Sequence, residues 1–222
     1  MTRIALVDVD GTLVDTNYQH ALAWYRAFRR VGLVLPLWRI HRHIGMGGDQ
    51  LVPALAGEDV ENGQGDMLRD AWAEEFAPFL GEIAPVDGAH DLLVQLRADG
   101  IRVALASSGK PEHVGRFLDL IDARDLADVW TTSEDVARTK PAPDLLEVAL
   151  DKLVQAGGPA PDGAEVVVVG DSTWDCEAAR RLGARSLAVR TGGFGREELL
   201  AAGADDVFES LPDLGAALVT SR

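Results

Sequence analysis

The stretch IALVDVDGT, residues 4–12, decides the fold of this chain. Its apolar run Ile4–Val7 ends in Asp8, and Asp10 follows before Gly11 lets the backbone turn away. A continuous apolar run of this length is typical of a strand buried on both faces, as in a parallel sheet. Because side chains alternate along a strand, we expect both carboxylates on one side, at its carboxyl end.

Two further runs repeat this arrangement and predict the class of fold. Ile101–Ala106 precedes Ser107, and Val166–Val169 precedes Gly170 and Asp171. Helix-length amphipathic stretches such as 143–154 lie between the runs. This alternation predicts an α/β fold with a doubly wound, mainly parallel, Rossmann-like sheet. Ligands bind at the carboxyl ends of such strands, so polar residues far apart in sequence are expected to converge there.

Residues 17–83 interrupt the alternation with helical spacing around a glycine-rich link, Gly45–Gly48, and without a strand-like run. This pattern predicts an inserted, all-α cap domain over residues 17–83. Residues 1–16 and 84–222 then form the α/β core. The alternative is a long helical connection that packs on the sheet.

Composition excludes several classes of partner. The formal net charge is −15, from 36 acidic and 21 basic residues, so nucleic acid and anionic membranes are repelled at long range. Cys176 is the only cysteine, which rules out an intrachain disulfide and a multi-cysteine metal site. No signal-peptide pattern and no run of about 18 apolar residues occurs, so we expect a soluble, cytoplasmic protein. The oligomeric state is not readable from these features.

Acidic residues at the ends of two predicted strands suggest a metal site. Asp8 and Asp10 follow the first strand, while Asp171 leaves the third and Asp175 lies one helical turn further on. Mg²⁺ prefers oxygen ligands, often one or two carboxylates. The alternative is that the first pair serves only in a turn and that Ser172 or Asp171 merely caps the following helix.

The other junctions could hold an anion. Ser107 and Ser108 follow the second run and precede a helix, where hydroxyl and backbone N–H groups make a phosphate-binding site. Lys140 precedes a further helix and is one of only three lysines, with Lys110 and Lys152. It could neutralise phosphate charge, or it could be a solvated surface residue.

Four ordered motifs together resemble the haloacid dehalogenase superfamily over the whole chain. They are DVDGT (8–12), VALASS (103–108), TKPAPD (139–144) and VVVVGDSTWD (166–175). More narrowly, the chain resembles the phosphoglycolate phosphatase and β-phosphoglucomutase branch, which has a helical cap after its first strand. That similarity is carried by DVDGTLVDT (8–16), His20, Trp24, IGMGGDQL (44–51) and residues 189–210.

The resemblance implies a role for each core motif. Asp8 would be the nucleophile that forms an aspartyl-phosphate, and Asp10 the general acid and base. Mg²⁺ would be bound by Asp8, the Asp10 carbonyl and Asp171, with Asp175 ligating the ion or holding its water. Ser107 and Lys140 would hold the transferring phosphoryl oxygens.

The same resemblance favours hydrolysis of a small phosphorylated metabolite. Dehalogenases usually lack an acid at the position of Asp10. Phosphonoacetaldehyde hydrolases and β-phosphoglucomutases need a cap lysine, whereas no lysine here precedes Lys110. Two alternatives stay open: a phosphoglucomutase-like mutase that uses Arg42 or Arg69 instead, and a non-catalytic phosphometabolite sensor.

Substrate choice is expected to come from the cap. The candidates are His20, Trp24, Arg42, His43 and the Gly45–Asp49 loop, whose glycines allow movement over the site. Trp24 could instead be core packing, and Arg42 and His43 could be solvated.

Overall fold

The protein is described by a computed structural model that covers residues 2–220, and its centre is a parallel sheet. The strands of this part of the chain are β1 (Thr2–Val7), β2 (Arg102–Ala106), β3 (Val129–Thr131), β4 (Ala164–Gly170), β5 (Arg185–Val189) and β6 (Asp206–Phe208). Their spatial order is β3-β2-β1-β4-β5-β6, and every neighbouring pair is parallel. The predicted doubly wound α/β sheet is confirmed.

The helices connect these strands and form the insertion. Within residues 2–220 they are α1 (Asn17–Arg30), α2 (Leu37–His41), α3 (Gly48–Ala56), α4 (Glu58–Phe76), α5 (Ala89–Ala98), α6 (Pro111–Leu120), α7 (Asp144–Gln155), α8 (Thr173–Leu182), α9 (Arg196–Ala202) and α10 (Leu211–Thr220). None of these described helices combines the length and apolar character that crossing a bilayer requires.

Alternation along the strands explains why helices cover both faces of the sheet. Ala5 and Val7 of β1 belong to an apolar cluster with α5, α6 and α10, whereas Ile4 and Leu6 pack with α7 and α8. All four side chains are buried. A strand with apolar residues at every position is therefore stable only between two layers of helices.

The position of β1 brings the predicted site residues together. Hydrogen bonding pairs Val7 with Leu105 of β2 on one side and with Val169 of β4 on the other. The carboxyl ends of these three strands therefore lie side by side, and the connections from β1 to β2 and from β4 to β5 leave in opposite directions. Asp8, Ser107 and Asp171 are each the first residue after one of these strands.

Three strands escaped the sequence prediction because their signals are weak. β3 and β6 contain only three residues each and include partly exposed positions. β5 begins at the exposed Arg185 and is apolar only over Leu187–Val189. Such short runs at the outer part of a sheet lack the uninterrupted apolar pattern that marks β1, β2 and β4.

Helices α1 to α4 all lie between β1 and α5, without an intervening sheet strand in the described chain. α1 packs against α4, and α3 packs against α4, so the insertion has its own helical core. The chain enters and leaves it through two adjacent segments. Asp15 N donates to Ala84 O at 3.0 Å, and Val86 N donates to Leu13 O at 2.9 Å. The helical cap is thus present, while its limits at residues 17 and 83 stay a prediction.

We expect replacement of Phe117 by Ala to lower the free energy of unfolding by about 3–5 kcal/mol, because this α6 side chain is buried against the sheet. Leu120→Ala on the same helix is the control. Leu120 is 40% exposed, so its loss should change stability by no more than about 0.5 kcal/mol. Urea unfolding curves measure both values. Equal losses would show that α6 does not pack as described.

Candidate active site

Lys140 lies at the centre of the site and is 1% exposed. Its Nζ donates to Asp8 Oδ1, to Ala106 O at 2.8 Å and towards Asp175 Oδ1 at 2.9 Å. The contacts with Asp8 and Ala106 are hydrogen bonds, and the contact with Asp175 is an ion pair. Although burial acts to lower the pKa of Lys140, Asp175 and Asp8 raise it above its ordinary value. Lys140 is therefore a buried cation and not a surface lysine.

Asp8 follows β1 and is almost completely buried. Burial raises the pKa of its carboxyl well above the ordinary value, whereas Lys140 acts to lower it. Asp8 N donates to Val169 O at 2.9 Å, which extends the sheet ladder by one residue and fixes the start of the turn.

Asp171 lies beside Asp8 and shares a partner with it. Thr12 Oγ1 is 3.0 Å from Asp8 Oδ2 and 2.9 Å from Asp171 Oδ1, so one hydroxyl proton serves two carboxylates. Asn17 Nδ2 donates to Asp171 Oδ2 at 2.7 Å and to Gly192 O at 3.2 Å. Burial and the neighbouring Asp175 raise the pKa of Asp171 to about 7.

Asp175 joins the cluster through the start of α8. Its Oδ2 accepts from Ser172 N at 3.1 Å and from Ser172 Oγ at 2.5 Å, while Ser172 Oγ accepts from Asp175 N. This capping box fixes the first turn of α8. The helix-cap interpretation is therefore correct for Ser172, but Asp175 also faces Lys140 with its other oxygen.

Asp10, two residues after Asp8, is held by the side chains of Ser107 and His20. Ser107 Oγ donates to Asp10 Oδ2 at 2.8 Å, and His20 Nε2 lies 3.1 Å from Asp10 Oδ1. Burial acts to raise the pKa of Asp10, but His20 and Ser107 together with Lys140 hold it below its ordinary value. His20 is itself held by stacking on Phe76, with ring centroids 4.1 Å apart.

The acidic cluster suits a hard divalent cation. Asp8, Asp171 and Asp175 each offer a carboxylate oxygen, and these atoms lie within 4.8 Å of one another. One ammonium faces three buried carboxylates, and the pKa of Asp171 is raised by its burial first and by the neighbouring Asp175 second. Oxygen donors of this type are those that Mg²⁺ and similar ions prefer. Asp175 Oδ2 is used in the helix cap, and its Oδ1 lies 2.9 Å from Lys140 Nζ.

A cavity of about 230 Å³ lies between the sheet and the cap. Asp8 and Asp10 line it, as do three further predicted site residues: His20, Trp24 and Ser108. Ser107, Lys140, Asp171 and Asp175 are buried and do not line the cavity. The additional cap residues that line it include Ile44, Met46, Asp49, Arg69 and Trp72.

Arg42 and His43 lie outside the cavity lining, against other parts of the core. Arg42 donates to Gly193 O at 3.2 Å and stacks over Phe194. His43 Nδ1 lies 2.9 Å from Arg39 O, and its ring is 5.7 Å from that of Trp174. In this structure both side chains contact protein groups. Their contact with substrate stays a prediction.

Thr139, which precedes Lys140, is a site residue that sequence reasoning missed. Its Oγ1 accepts from Gly47 N at 3.0 Å and donates to Asp49 Oδ1, and its N donates to Asp49 Oδ2 at 3.1 Å. A Cβ on Gly47 would lie 2.3 Å from Thr139 Oγ1. The glycines of this loop were expected to allow movement over the site, and nothing in the sequence identified Thr139 as a contact of the loop.

Cys176 is buried directly after Asp175. Burial raises the pKa of its thiol to about 12, with a smaller effect from Asp175. A thiol of this kind is almost entirely protonated at neutral pH, so it is not a nucleophile.

Carboxylates and a lysine at the carboxyl ends of the central strands, beneath an inserted helical cap, define a capped Rossmann-like hydrolase. The chain belongs to the haloacid dehalogenase-like hydrolase family, whose model matches residues 2–183. A phosphoglycolate phosphatase from Cupriavidus necator is 31% identical over 225 residues, covering 98% of this chain and 93% of the relative. A validoxylamine A 7′-phosphate phosphatase from Streptomyces hygroscopicus is 27% identical over 195 residues, covering 86% and 87%.

The fold has a close match among solved structures. A hydrolase from Pseudomonas syringae is 32% identical, with a TM-score of 0.88 and 99% of each chain covered. The chain is therefore a phosphatase of this family, in the branch of phosphoglycolate phosphatases and β-phosphoglucomutases.

Replacement of Lys140 by Ala should lower the free energy of unfolding by about 3–5 kcal/mol in chelator-treated protein, because it leaves buried carboxylates without their cation. Lys152→Ala is the matched control, since its ion pair with Asp135 is part-exposed and should contribute less than about 1 kcal/mol. Urea unfolding at pH 7 with EDTA measures both. A Lys140 variant as stable as the control would contradict this charge balance.

Proposed function

We propose that this phosphatase is a Mg²⁺-dependent phosphomonoesterase that acts on a small phosphorylated metabolite through an aspartyl-phosphate on Asp8. The observation that carries the proposal is the position of Asp8. Its side chain lines the cavity, contacts the buried ammonium of Lys140 and belongs to the acidic cluster with Asp171 and Asp175. A nucleophile is thereby fixed at the wall of a cavity that is large enough for a small ligand.

In the first half-reaction Asp8 attacks phosphorus and the bond from phosphorus to the ester oxygen breaks. Asp10 gives the leaving oxygen its proton, so that the free alcohol departs. Asp10 has a lowered pKa in this structure. The negative charge of an arriving phosphate opposes ionisation, so it favours the protonated form that this step needs.

In the second half-reaction water attacks the phosphorus of the aspartyl-phosphate. Asp10 takes a proton from that water, the bond to Asp8 breaks, and inorganic phosphate leaves. The hydrogen bonds from Ser107 and His20 fix the Asp10 carboxylate for both steps. Lys140 neutralises charge on the Asp8 side, as phosphoryl transfer requires.

Mg²⁺ fits the residues present: Asp8, the Asp10 carbonyl and Asp171 would hold it, with Asp175 ligating the ion or holding its water. When bound, it supplies positive charge that stabilises the transferring phosphoryl group. Asn17 and Thr12 orient the Asp171 carboxylate towards this position. These outer partners fix the direction of the carboxylate oxygens, as is common at metal sites.

The cap, which we place at residues 17–83, would exclude water during the first half-reaction. The contacts of Thr139 with Asp49 and Gly47 support a closed position of the cap over the core. The two relatives with named substrates act on different compounds, phosphoglycolate and a validoxylamine phosphate. This difference supports the proposal that cap residues, and not the core motifs, set substrate identity.

The mutase alternative is less well supported. It requires cap cations to bind the second phosphate of a bisphosphate while that molecule turns round. Arg42 lies outside the cavity, and Arg69 is paired with Glu61 and Asp66. A non-catalytic sensor would have no need of Asp10, an acid held by hydrogen bonds from Ser107 and His20.

We expect the Asp8→Asn variant to lose essentially all phosphate release, because an amide is a poor nucleophile. Wild-type protein should release phosphate from a panel of phosphorylated metabolites only when Mg²⁺ is present. Asp15→Asn is the matched control, since Asp15 is exposed and does not line the cavity. Release by the Asp8 variant at the wild-type rate would refute the nucleophile, and interconversion of glucose phosphates without release would favour a mutase.

Replacing Asp10 by Asn should slow both half-reactions, by about 10²–10⁴-fold for lost acid–base catalysis. Rapid quenching with an alcohol phosphate measures formation of the phosphoenzyme, and dilution after loading with acetyl phosphate measures its breakdown. Acetyl phosphate has a good leaving group, so its first step should suffer less than that of the alcohol ester. Unchanged turnover in this variant would remove Asp10 from the mechanism.

A further inference from the structure

Asn17, the first residue of α1, has a buried oxygen without a protein donor. The residue is 1% exposed, and its Nδ2 donates to Asp171 Oδ2 at 2.7 Å and to Gly192 O at 3.2 Å. Both of these partners are acceptors, which identifies this atom as the amide nitrogen and the other as the carbonyl oxygen. Within residues 2–220 no group donates to that oxygen, Oδ1.

The surroundings of Oδ1 indicate which kind of donor could reach it. Buried acceptors without a protein donor are uncommon, and a water or an ion is the usual partner. The substrate cavity does not supply one, because Asn17 is not among the residues that line it. The side chain lies against Gly11 instead, where a Cβ would overlap both Asn17 Oδ1 and Asp171 Oδ2. Gly11 directly follows Asp10, whose carbonyl is a proposed ligand of the ion.

The loop after β5 closes this corner of the site. A Cβ on Gly192 would overlap Asp171 Oδ2 and lie 2.5 Å from Asn17 Nδ2, so the backbone of this loop passes directly over both side chains. The carbonyl of Gly192 also accepts from His41 Nε2 of α2 at 3.0 Å. Bulk water is thereby kept from Asn17, so a donor to Oδ1 has to be a molecule held inside the metal site.

An amide suits this position better than an acid would. Asp8, Asp171 and Asp175 already face the single ammonium of Lys140. A carboxylate at position 17 would add negative charge and remove the donor to Asp171, whereas Asn17 fixes that carboxylate without adding charge. Mg²⁺ gives up its waters reluctantly and usually keeps several of them in proteins. Such waters are donors, and a neutral amide oxygen can accept from one.

We propose that Asn17 is a positioning residue of the Mg²⁺ site, whose Oδ1 accepts a hydrogen bond from a water bound to the ion while its Nδ2 holds Asp171. This inference rests on the Mg²⁺ site of the proposed function and extends that site to the first helix of the insertion. Outer partners of this kind fix both the ligands and the waters of a metal ion. Because α1 packs against α4, the bound ion also joins the helical insertion to the core.

A high-resolution crystal structure of the Mg²⁺-loaded wild-type protein tests the contact itself. We expect a water about 2.1 Å from the ion and about 2.8 Å from Asn17 Oδ1. Two results would overturn the proposal. One is direct ligation of the ion by Oδ1, and the other is a loaded site in which no metal-bound water lies within hydrogen-bond distance of Oδ1.

Replacement of Asn17 by Leu tests the contribution to binding, since Leu has a similar volume and neither polar atom. Calorimetric titration of chelator-free protein with Mg²⁺, without substrate, should show Kd raised by roughly 10–100-fold. Gln19→Leu is the matched control. Gln19 lies on the same helix, and its Oε1 also is buried without a donor among the described residues. Two residues along a helix point to nearly opposite sides, so this variant should keep the wild-type Kd.

The outcomes separate this inference from the phosphatase proposal. Wild-type protein that binds Mg²⁺ with the expected water, yet releases phosphate from no compound, would refute the phosphatase and leave the role of Asn17 in place. Mg²⁺-dependent phosphate release combined with equal Kd values for Asn17→Leu and Gln19→Leu would overturn the inference alone. Wild-type protein that does not bind Mg²⁺ would overturn both. Urea unfolding in EDTA checks that each variant is folded before titration.

Discussion

The contact between the Lys140 ammonium and the carboxylates of Asp8 and Asp175 is the constraint on which the site depends. Acids from two separate strand ends meet in a buried space, and they can do so only because a cation lies between them. Burying that cation is tolerable in turn because two carboxylates and the Ala106 carbonyl oxygen contact it. The ends of β1 and β4 and the loop before α7 are thereby held in one arrangement.

The charge of the Lys140 ammonium does not balance the surrounding carboxylates, and this imbalance favours the binding of a cation. One ammonium faces three carboxylates, so the pKa values of Asp8 and Asp171 are raised, by burial above all. A site that is short of positive charge gains most from a divalent ion. The acidic character of the chain, with a net charge of −15, makes this local supply of cations the main means of attracting a phosphate.

Much of the core could be predicted because its signals are local. Apolar runs marked β1, β2 and β4, and parallel strands bring the residues after them to one edge, so Asp8, Ser107 and Asp171 were expected to converge. Cap contacts were harder, since they join residues far apart without a shared pattern. Thr139 binds Asp49 across 90 positions, and a Cβ on Gly48 would lie 3.0 Å from Arg69 Cγ. A strand of three residues such as β6 is also too short to show the alternation of apolar and polar residues that marks a strand.

The paired segments 13–15 and 84–86 have an evolutionary consequence. The insertion leaves the core and returns to it at neighbouring positions, joined by backbone hydrogen bonds of 3.0 and 2.9 Å. An insert whose two ends are adjacent can lengthen, shorten or be exchanged without disturbing the order of the sheet strands. The inserted helices can thus change in sequence and length while the core keeps its chemistry.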